Sequence, residues 1–505
     1  MTLQQDFTLI DGKGQRPTTP SDPPPAMDWR FLLSDADLGC IGMWEPEAGA
    51  LADQFHAFAD TIVDLRNPDT PCDVAVLAAP STTVVRQVLA HGTVKSAIRI
   101  ADVPRRRRRR QARLLTEAGY DVSTWWARPS AADTRYLVAL DHGPSAATVL
   151  RTVARRARWS TVESRLAEWG LARRWAGGVS LLATAPTPVG EVASHAVAAP
   201  HDRASLSALV TPRYARSRAV VGITTTSSGR ALQQVVKVPR SPRDEYNVRS
   251  EANILDEFLT RAQGAARAPE GHHLARHGGR LVLVEDAATG TPLDRRTVRQ
   301  DPAAALTAGL RWLEQVPVGP ASCLANDGRG HDLIEVPLAQ LATGDRRRAG
   351  WQVRAQRLLE PLQETELPVV FEHGDFSHPN LFVAADGELV AIDWERGQPN
   401  GLPLHDATFY TAYLAESVDQ PKNPEALVAA YRRAVRHLGW AHVDLDLHVE
   451  HLGLDRRLLP LLELACWTRA LADQSTATGP STKATPHRYE LFWMAAIEDA
   501  EERQR

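Results

Sequence analysis

The stretch FEHGDFSHPNLF, residues 371–382, predicts the end of one apolar strand, a polar loop and the start of a second strand. The Asp-Gly pair at 386–387 then lies between apolar runs, which is a strong signal for a β-hairpin. The returning strand ends at Asp393. The hairpin therefore brings Asp393 back beside the loop that holds Asp375 and Asn380.

These three side chains suit the transfer of a phosphoryl group from a nucleotide. That reaction needs a carboxylate at the acceptor hydroxyl and oxygen ligands for Mg²⁺, which prefers carboxylates, phosphate oxygens and water. Asp375 can accept the hydroxyl proton, while Asn380 and Asp393 can hold the metal. A polar turn between two buried strands is the alternative interpretation of the same residues.

The spacing His-x-Asp-x-x-x-x-Asn from His373 to Asn380, with a second Asp after a hairpin, resembles the aminoglycoside phosphotransferase and choline kinase family. The resemblance implies an α+β, two-lobed, protein-kinase-like fold that uses ATP and Mg²⁺. It implies that Asp375 is the catalytic base and that Asn380 and Asp393 are the metal ligands. It also implies that His373 braces the loop.

A hairpin and a helix are predicted upstream of this motif. Lys237 lies on the second strand of the hairpin, and Glu251 lies near the middle of the helix predicted over residues 244–262. By the resemblance, these two residues form an ion pair that positions the nucleotide phosphates. An exposed lysine on an edge strand is the alternative interpretation, and Glu245 is an alternative partner.

The loop of that upstream hairpin is expected to contact the phosphates of ATP through Ser228 and Gly229. It holds fewer glycines than the resembling family usually has, so neighbouring hydroxyl groups would have to help. A strand predicted over residues 280–285 would form the hinge that meets adenine.

Asp406 lies after the catalytic hairpin, just before a helix predicted over residues 407–417. The resemblance implies that its carboxylate hydrogen-bonds the catalytic loop. A role as the N-cap of the helix is compatible with this, because Asp is favoured there. The helices that follow would shape the acceptor pocket, and their mixed charges form no strongly acidic wall for a polycationic acceptor.

The N-terminal part of the chain alternates predicted strands with predicted helices, which indicates an α/β domain with a Rossmann-like, mostly parallel sheet. The order of elements and residues 117–140 resemble a degenerate class I methyltransferase domain. A working cofactor site needs small residues after the first strand. The loop 42–49 contains tryptophan and proline instead. Asp64 could hold a ribose or could simply end a strand, and we expect a structural or partner-binding domain.

The predicted organisation is a disordered leader over 1–27, the α/β domain over 28–200 and the kinase-like domain over 205–505. Within the last, the N-lobe is predicted at about 205–290 and the C-lobe at about 291–505. A chain of 505 residues is too long for one core, so several domains are expected.

The composition, with 43% hydrophobic and 24% charged residues, is ordinary for a globular protein, and the net charge of −3 gives no general attraction to nucleic acid or membranes. Four widely separated cysteines fit a reducing cytoplasm. No apolar run approaches the about 18 residues that a membrane span needs. Six consecutive arginines, 105–110, predict a solvated loop or helix start, and nucleic-acid binding is disfavoured because no aromatic residue interrupts them.

The sequence therefore predicts an ATP- and Mg²⁺-dependent kinase that acts on a hydroxyl of a small molecule, such as a sugar, an amino alcohol or an aminoglycoside-like compound. A non-catalytic nucleotide-binding pseudokinase or scaffold is one alternative. A bifunctional protein that also binds S-adenosylmethionine in its N-terminal half is another.

Overall fold

A computed structural model describes most of the chain, namely residues 25–33, 38–44, 55, 59–129, 134–153, 160–186, 206–211, 219–277, 280–344, 348–435, 439–478 and 488–504. The chain divides into two compact units. The sheet unit lies within residues 15–249 and 271–287, and the helical unit within residues 250–270 and 288–505. The limits of these two units differ from the limits of the predicted domains. The predicted domain organisation stays a prediction. Most of the predicted leader and of the loop 42–49 lies outside the described residues.

The sheet unit is built on one sheet, to which the described residues contribute twelve strands. These strands are β1 Cys40–Met43, β2 Thr61–Asp64, β3 Cys72–Ala78, β4 Val94–Ala101, β5 Asp121–Pro129, β6 Thr134–Ala139, β7 Val179–Thr184, β8 Leu206–Val210, β9 Ala219–Thr225, β10 Leu232–Pro239, β11 His272–His277 and β12 Arg280–Asp286. Their order across the sheet is β11-β12-β10-β9-β8-β6-β5-β7-β4-β3-β1-β2.

The prediction of a mostly parallel, Rossmann-like sheet is corrected by the strand directions. Strands β1 to β4 pair in parallel. Strand β7 lies between β4 and β5 and is antiparallel to both. Every further neighbouring pair among the described strands, from β5 to β11, is antiparallel. The sheet is therefore mixed, because consecutive strands such as β9 and β10 are joined by short hairpin loops, which allow only antiparallel pairing.

Strand β8 was not predicted, and it joins the two predicted domains into one sheet. It pairs with β6 on one side and with β9 on the other. The strands of the predicted N-lobe thus continue the sheet of the predicted α/β domain.

The described residues of the sheet unit also contain helices. They are α1 Thr82–His91, α2 Arg105–Glu117, α3 Gly143–Thr152, α4 Ser160–Glu168, the single turn α5 Ala172–Trp175 and the first residues of α6 Glu245–Ala262. The arginine run begins α2, as predicted for a helix start. Of its members Arg108 is anchored inward, where its guanidinium donates to the carbonyls of Val103 at 3.3 Å and Ala176 at 3.0 Å.

The helical unit holds two small sheets and most of the helices. The strands are β13 Thr291–Pro292, β14 Val318–Cys323, β15 Glu366–Glu372, β16 Leu381–Val383, β17 Leu389–Ala391 and β18 Gln398–Gly401. The helices are α7 Arg295–Gln300, α8 Pro302–Glu314, α9 Leu324–Asp327, α10 Val336–Gly344, α11 Ala349–Leu359, α12 His405–Asp419, α13 Pro424–Val435, α14 His442–His451, α15 Leu459–Thr478 and α16 Arg488–Gln504. Neither β14 nor α14 was predicted from the sequence.

An aromatic core supports the loop between β15 and β16. The Phe258 and Trp394 rings lie 4.1 Å apart, and the Trp312 and Phe376 rings lie 4.9 Å apart. These rings are buried. Packing of this kind fixes the backbone on either side of the polar loop, so the loop has one well-defined position. Among the described residues, no helix is long and apolar enough to cross a membrane.

Candidate functional site

The predicted hairpin is present. Strands β16 and β17 pair antiparallel, and Leu381 faces Ala391. The turn between them contains Gly387 with a φ of +89°. One residue beyond the paired strands, the Ile392 N–H donates to the Asn380 carbonyl at 2.9 Å. The hairpin therefore places Asp393, the next residue, beside the polar loop.

Two backbone groups of the polar loop are held by one carboxylate. The N–H groups of His373 and Gly374 donate to the two oxygens of Asp406 at 2.6 and 2.9 Å. Gly374 has a φ of +76°, and a Cβ there would lie 2.2 Å from the Arg396 carbonyl oxygen. The loop thus passes close to the segment that follows the hairpin with a positive φ, and only glycine meets both requirements.

The His373 ring joins the loop to the hairpin. Its Nε2 lies 2.9 Å from the Ile392 carbonyl, and its Nδ1 lies 3.3 Å from the backbone nitrogen of Asp375. A neutral ring with its proton on Nε2 donates to the carbonyl and accepts from the Asp375 N–H. His373 thus orients the residue that the sequence proposes as the base.

Asp375 is 8% exposed at the end of this loop. Burial raises the pKa of its carboxyl to about 7, against the lowering effect of the positive charge on Arg396. Negative charges on Asp393 and Glu395 raise it further. A carboxyl whose pKa lies near neutrality can take up and release a proton at working pH.

Asn380 and Asp393 offer oxygen atoms that fit a hard cation. The Asn380 amide nitrogen donates to the Asp375 carbonyl at 3.0 Å, which fixes the side chain. Its Oδ1 is buried and has no hydrogen-bond partner within the described part of the chain. Asp393 is 2% exposed and has a φ of +70°, a strained conformation of the kind that clusters at functional sites. Amide and carboxylate oxygens are ligands that Mg²⁺ accepts.

The described residues contain no group of three or more His, Cys, Asp or Glu side chains arranged to hold a metal ion. Protein sites for Mg²⁺ in nucleotide enzymes use one or two side chains and complete the coordination with phosphate oxygens and water. The pair of Asn380 and Asp393 therefore fits Mg²⁺ that arrives with a nucleotide, and it does not fit a closed structural metal site.

The predicted pair of Lys237 and Glu251 falls on different units and stays a prediction. In the helical unit, Glu251 is buried and its Oε1 accepts from the Trp394 N–H at 3.0 Å, directly after Asp393. In the sheet unit, the Lys237 ammonium lies 3.8 Å from the Glu285 carboxylate, and both side chains are buried. The alternative interpretation of Lys237 as an exposed residue on an edge strand is therefore wrong.

Glu245, the alternative partner, is engaged elsewhere. Its Oε1 accepts from the Leu281 N–H at 3.0 Å and lies 4.0 Å from the Arg276 guanidinium. These contacts tie the start of α6 to β12 and β11 within the sheet unit. They give Glu245 a structural role.

The loop that carries Ser228 and Gly229 is held by helix α3. The Thr148 hydroxyl donates to the Gly229 carbonyl at 2.7 Å. The Gly229 N–H closes a turn on the Thr226 carbonyl at 2.7 Å, and Gly229 is buried with a φ of +70°. Ser228 is exposed. Helix α3 therefore sets the shape of this loop, which was not foreseen because the helix is about 80 residues upstream.

Asp64 ends β2, as the sequence predicts. Its carboxylate accepts from the Arg66 Nε at 2.8 Å, and this hydrogen bond lowers the pKa of Asp64. A local ion pair at the end of a strand favours the structural interpretation of Asp64 over a ribose-binding one.

A buried charge network next to the loop was missed by the sequence reasoning. Arg469 on α15 lies 2.7 Å from the Glu372 carboxylate, which also accepts from the Leu402 N–H. Burial alone would raise the pKa of Glu372, but the charges of Arg469 and His405 outweigh it and lower that pKa. Glu372 and Arg469 are 97 positions apart, and no local pattern joins them.

Residues 216–445 match the sequence model of the phosphotransferase enzyme family. This segment is somewhat less than half of the chain, and it includes every predicted site residue from Ser228 to Asp406. The predicted resemblance to a phosphotransferase enzyme family is thereby confirmed for this segment. The resemblance of residues 28–200 to methyltransferases stays a prediction.

Solved structures with similarity to the chain include kinases of small molecules. Choline kinase LicA from Streptococcus pneumoniae is 12% identical, with 58% of this chain and 92% of that chain covered and a TM-score of 0.34. A thermostable mutant of an aminoglycoside phosphotransferase with ADP and hygromycin B is 16% identical, with coverages of 55% and 96% and a TM-score of 0.32. Macrolide 2'-phosphotransferase MphH from Brachybacterium faecium is 15% identical, with coverages of 52% and 89% and a TM-score of 0.28. No curated protein matches the chain.

Proposed function

We propose that this protein is an ATP- and Mg²⁺-dependent phosphotransferase whose acceptor is a hydroxyl group of a small molecule. The observation that carries the proposal is the buried Asp375 carboxyl, whose pKa lies near neutrality, in a loop that ends at Asn380 and to which the hairpin returns Asp393. The family match over residues 216–445 supports the same reaction class.

In the proposed reaction, the acceptor hydroxyl donates a hydrogen bond to the ionised Asp375. The hydroxyl oxygen forms a bond to the γ-phosphorus, the bond from that phosphorus to the β–γ bridging oxygen breaks, and the proton passes to Asp375. ADP leaves with the bridging oxygen. Asp406 and His373 hold Asp375 in place through the loop backbone. Positioning and charge stabilisation account for most catalysis in such reactions.

Asn380 and Asp393 are the residues that would hold Mg²⁺ in this proposal. When bound, the cation would neutralise negative charge on the nucleotide phosphates. The remaining predicted contacts with ATP, from Lys237, Glu251, Ser228 and Gly229, are part of the proposal.

The test is the variant Asp375→Asn, assayed by ADP release against sugars, amino alcohols and aminoglycosides. We expect turnover to fall by about 10²- to 10⁴-fold, because the proton acceptor is lost. Stabilisation of the fold by ATP and Mg²⁺ should remain, since a ligand raises the stability of the state that binds it. Asp386→Asn, on the exposed turn of the same hairpin, is the matched control. Near-normal turnover by Asp375→Asn would refute the assigned role.

A non-catalytic nucleotide-binding protein is the second candidate. It is favoured by one observation, the contact of α3 with the loop at Gly229, which fixes a segment that is expected to close over phosphates. Thermal stabilisation by ATP and Mg²⁺ without turnover of any acceptor would support this candidate. Asp393→Asn should remove the Mg²⁺-dependent part of that stabilisation under either function.

A further inference from the structure

Four side chains that the sequence did not single out interact electrostatically with the candidate base. They are Arg396, Tyr413, Arg488 and Tyr489, all in the helical unit. The negative charge of Asp375 acts on each of them: it raises the pKa values of both arginines against the opposing effect of burial, and it adds to the effect of burial on both tyrosines. We call this set the base-side cluster.

Arg396 contacts the backbone of the loop that holds Asp375. A Cβ on Gly374 would lie 3.0 Å from the Arg396 Cβ, so the two backbones are in contact one residue before Asp375. The Arg396 side chain is 25% exposed. It is therefore largely removed from water yet open to a ligand.

The Arg396 guanidinium makes no hydrogen bond within the described part of the chain. Its nearest carboxylate there is Asp473, with a nitrogen–oxygen distance of 3.9 Å, and the Asp473 side chain is 57% exposed. A guanidinium presents its N–H donors in a planar fork that matches a carboxylate or a phosphate. Such a group, held partly desolvated beside a reactive carboxyl, is arranged to receive an anion.

Arg488 has a different role in the cluster because its charge is already compensated. It lies 3.1 Å from the buried Glu416 carboxylate. Its guanidinium also lies 4.4 Å from the centre of the Tyr413 ring, and the hydroxyl groups of Tyr413 and Tyr489 are 3.0 Å apart. Arg488 therefore positions the two tyrosines, and Arg396 is the cation that a ligand can pair with.

We infer that the acceptor carries an anionic group, either a carboxylate or a phosphate, which Arg396 binds while the acceptor hydroxyl reaches Asp375. The inference rests on the proposed function and names its substrate class. Bond changes are those of the proposed transfer, and Arg396 neither gains nor loses a proton. A polycationic acceptor is disfavoured, because it would bring positive charge against Arg396.

Matched pairs of acceptors test the inference. The probes are glycerol with glycerate and glucose with gluconate, which differ in one carboxylate, and glucose with glucose 6-phosphate, which adds a phosphate. ADP release gives kcat and KM for each. We expect kcat/KM to be higher for the anionic member of a pair by about 10- to 100-fold, the range for a hydrogen bond to a charged group.

The variant Arg396→Gln should remove this preference mainly by raising KM for the anionic member, and Arg396→Lys should keep part of it. Arg457→Gln is the matched control, since the Arg457 side chain is 89% exposed and pairs with Asp455 in the same unit. Melting temperatures of all variants show whether they fold.

The outcomes separate the inference from the proposed function. Equal kcat/KM for both members of every pair, or a panel in which no anionic member is turned over, would overturn the inference. An equal fall of kcat for all acceptors in Arg396→Gln would also overturn it, because Arg396 would then act on the transferred phosphoryl group. The proposed function itself fails under two conditions together: no acceptor leads to the release of ADP, and ATP with Mg²⁺ does not stabilise the fold.

Discussion

The Asp406 carboxylate accepts a hydrogen bond from the backbone N–H of His373 at 2.6 Å, and its second oxygen serves Gly374 in the same way. Asp406 lies in the first turn of α12, but Leu404 occupies the N-cap position and its φ is +69°. The N-cap role that the sequence allowed for Asp406 is therefore wrong. The carboxylate binds the backbone of the loop at His373 and Gly374, and helix α12 supports the carboxylate.

Asp406→Asn is expected to weaken the loop. The amide can replace one acceptor oxygen, but its NH₂ group faces a backbone N–H and leaves it unsatisfied. An unsatisfied buried donor costs about 1–3 kcal/mol. We expect both the melting temperature and kcat to fall further in Asp406→Asn than in the exposed control Asp386→Asn. A variant with unchanged kcat would show that the loop keeps its position without this carboxylate.

The raised pKa of Asp375 predicts the pH dependence of turnover. The ionised carboxyl is the form that accepts the hydroxyl proton, and burial raises its pKa to about 7. kcat/KM should therefore rise with pH up to about 7 and level off above it. A cation near the carboxyl favours its ionised form, so this rise of kcat/KM should move to lower pH as the Mg²⁺ concentration is increased. The residual activity of Asp375→Asn should not rise with pH in this range. A kcat/KM of the wild type that does not depend on pH would contradict the assignment of Asp375 as the base.

Local patterns were enough to predict the hairpin that carries Asp393. The Asp-Gly turn and the flanking apolar runs place Asp393 beside Asn380, and these features are all within about 25 residues. Strands β1 to β4, β9 and β10 were predicted for the same reason. In each case, the pattern of apolar residues and the turn residues that predict the strand lie within a short segment of the sequence.

Features that depend on distant residues were missed. Strand β8 is short, and its pairing with both β6 and β9 is decided by the sheet, not by its own sequence. The pairing of Glu372 with Arg469 joins residues on β15 and α15. Burial strengthens the electrostatic interaction of such a pair, but the sequence around each residue does not indicate that the two are paired. The base-side cluster was missed for the same reason.

Gly229→Ala is expected to disturb the loop that contacts α3. The position has a φ of +70°, and a Cβ there would lie 2.6 Å from both the Ser145 nitrogen and the His142 ring. Gly119→Ala is the control, because Gly119 has a φ of +91° and nothing lies within 4 Å of an added Cβ. The control should cost about 1 kcal/mol for backbone strain alone. Gly229→Ala should cost more and weaken ATP binding; equal melting temperatures would show that the loop yields freely.

The buried pair of Asp28 and Arg240 anchors the segment at Pro25–Leu32 to the end of β10. The Arg240 guanidinium donates to the Asp28 carboxylate at 3.0 Å, and both side chains are buried. Burial raises the pKa of Asp28 to about 6, while Arg240 and Arg30 lower it. The folded state therefore holds a proton on Asp28 more tightly than the unfolded state does, so this residue favours folding more as the pH falls toward 4.

Arg240→Met removes the main positive charge beside Asp28 and should destabilise the sheet unit by about 3–5 kcal/mol at neutral pH. The loss should shrink as the pH falls from 7 to 5, because a protonated Asp28 needs no counter-charge. Adding Asp28→Asn to Arg240→Met should recover part of the stability at pH 7. Lys95→Met, which breaks the exposed pair with Asp73, should change stability by less than about 1 kcal/mol. Thermal and urea unfolding of the full chain measure the stability of the wild type and of the three variants. A loss in Arg240→Met that does not depend on pH would assign the cost to lost packing instead of to the unpaired carboxylate.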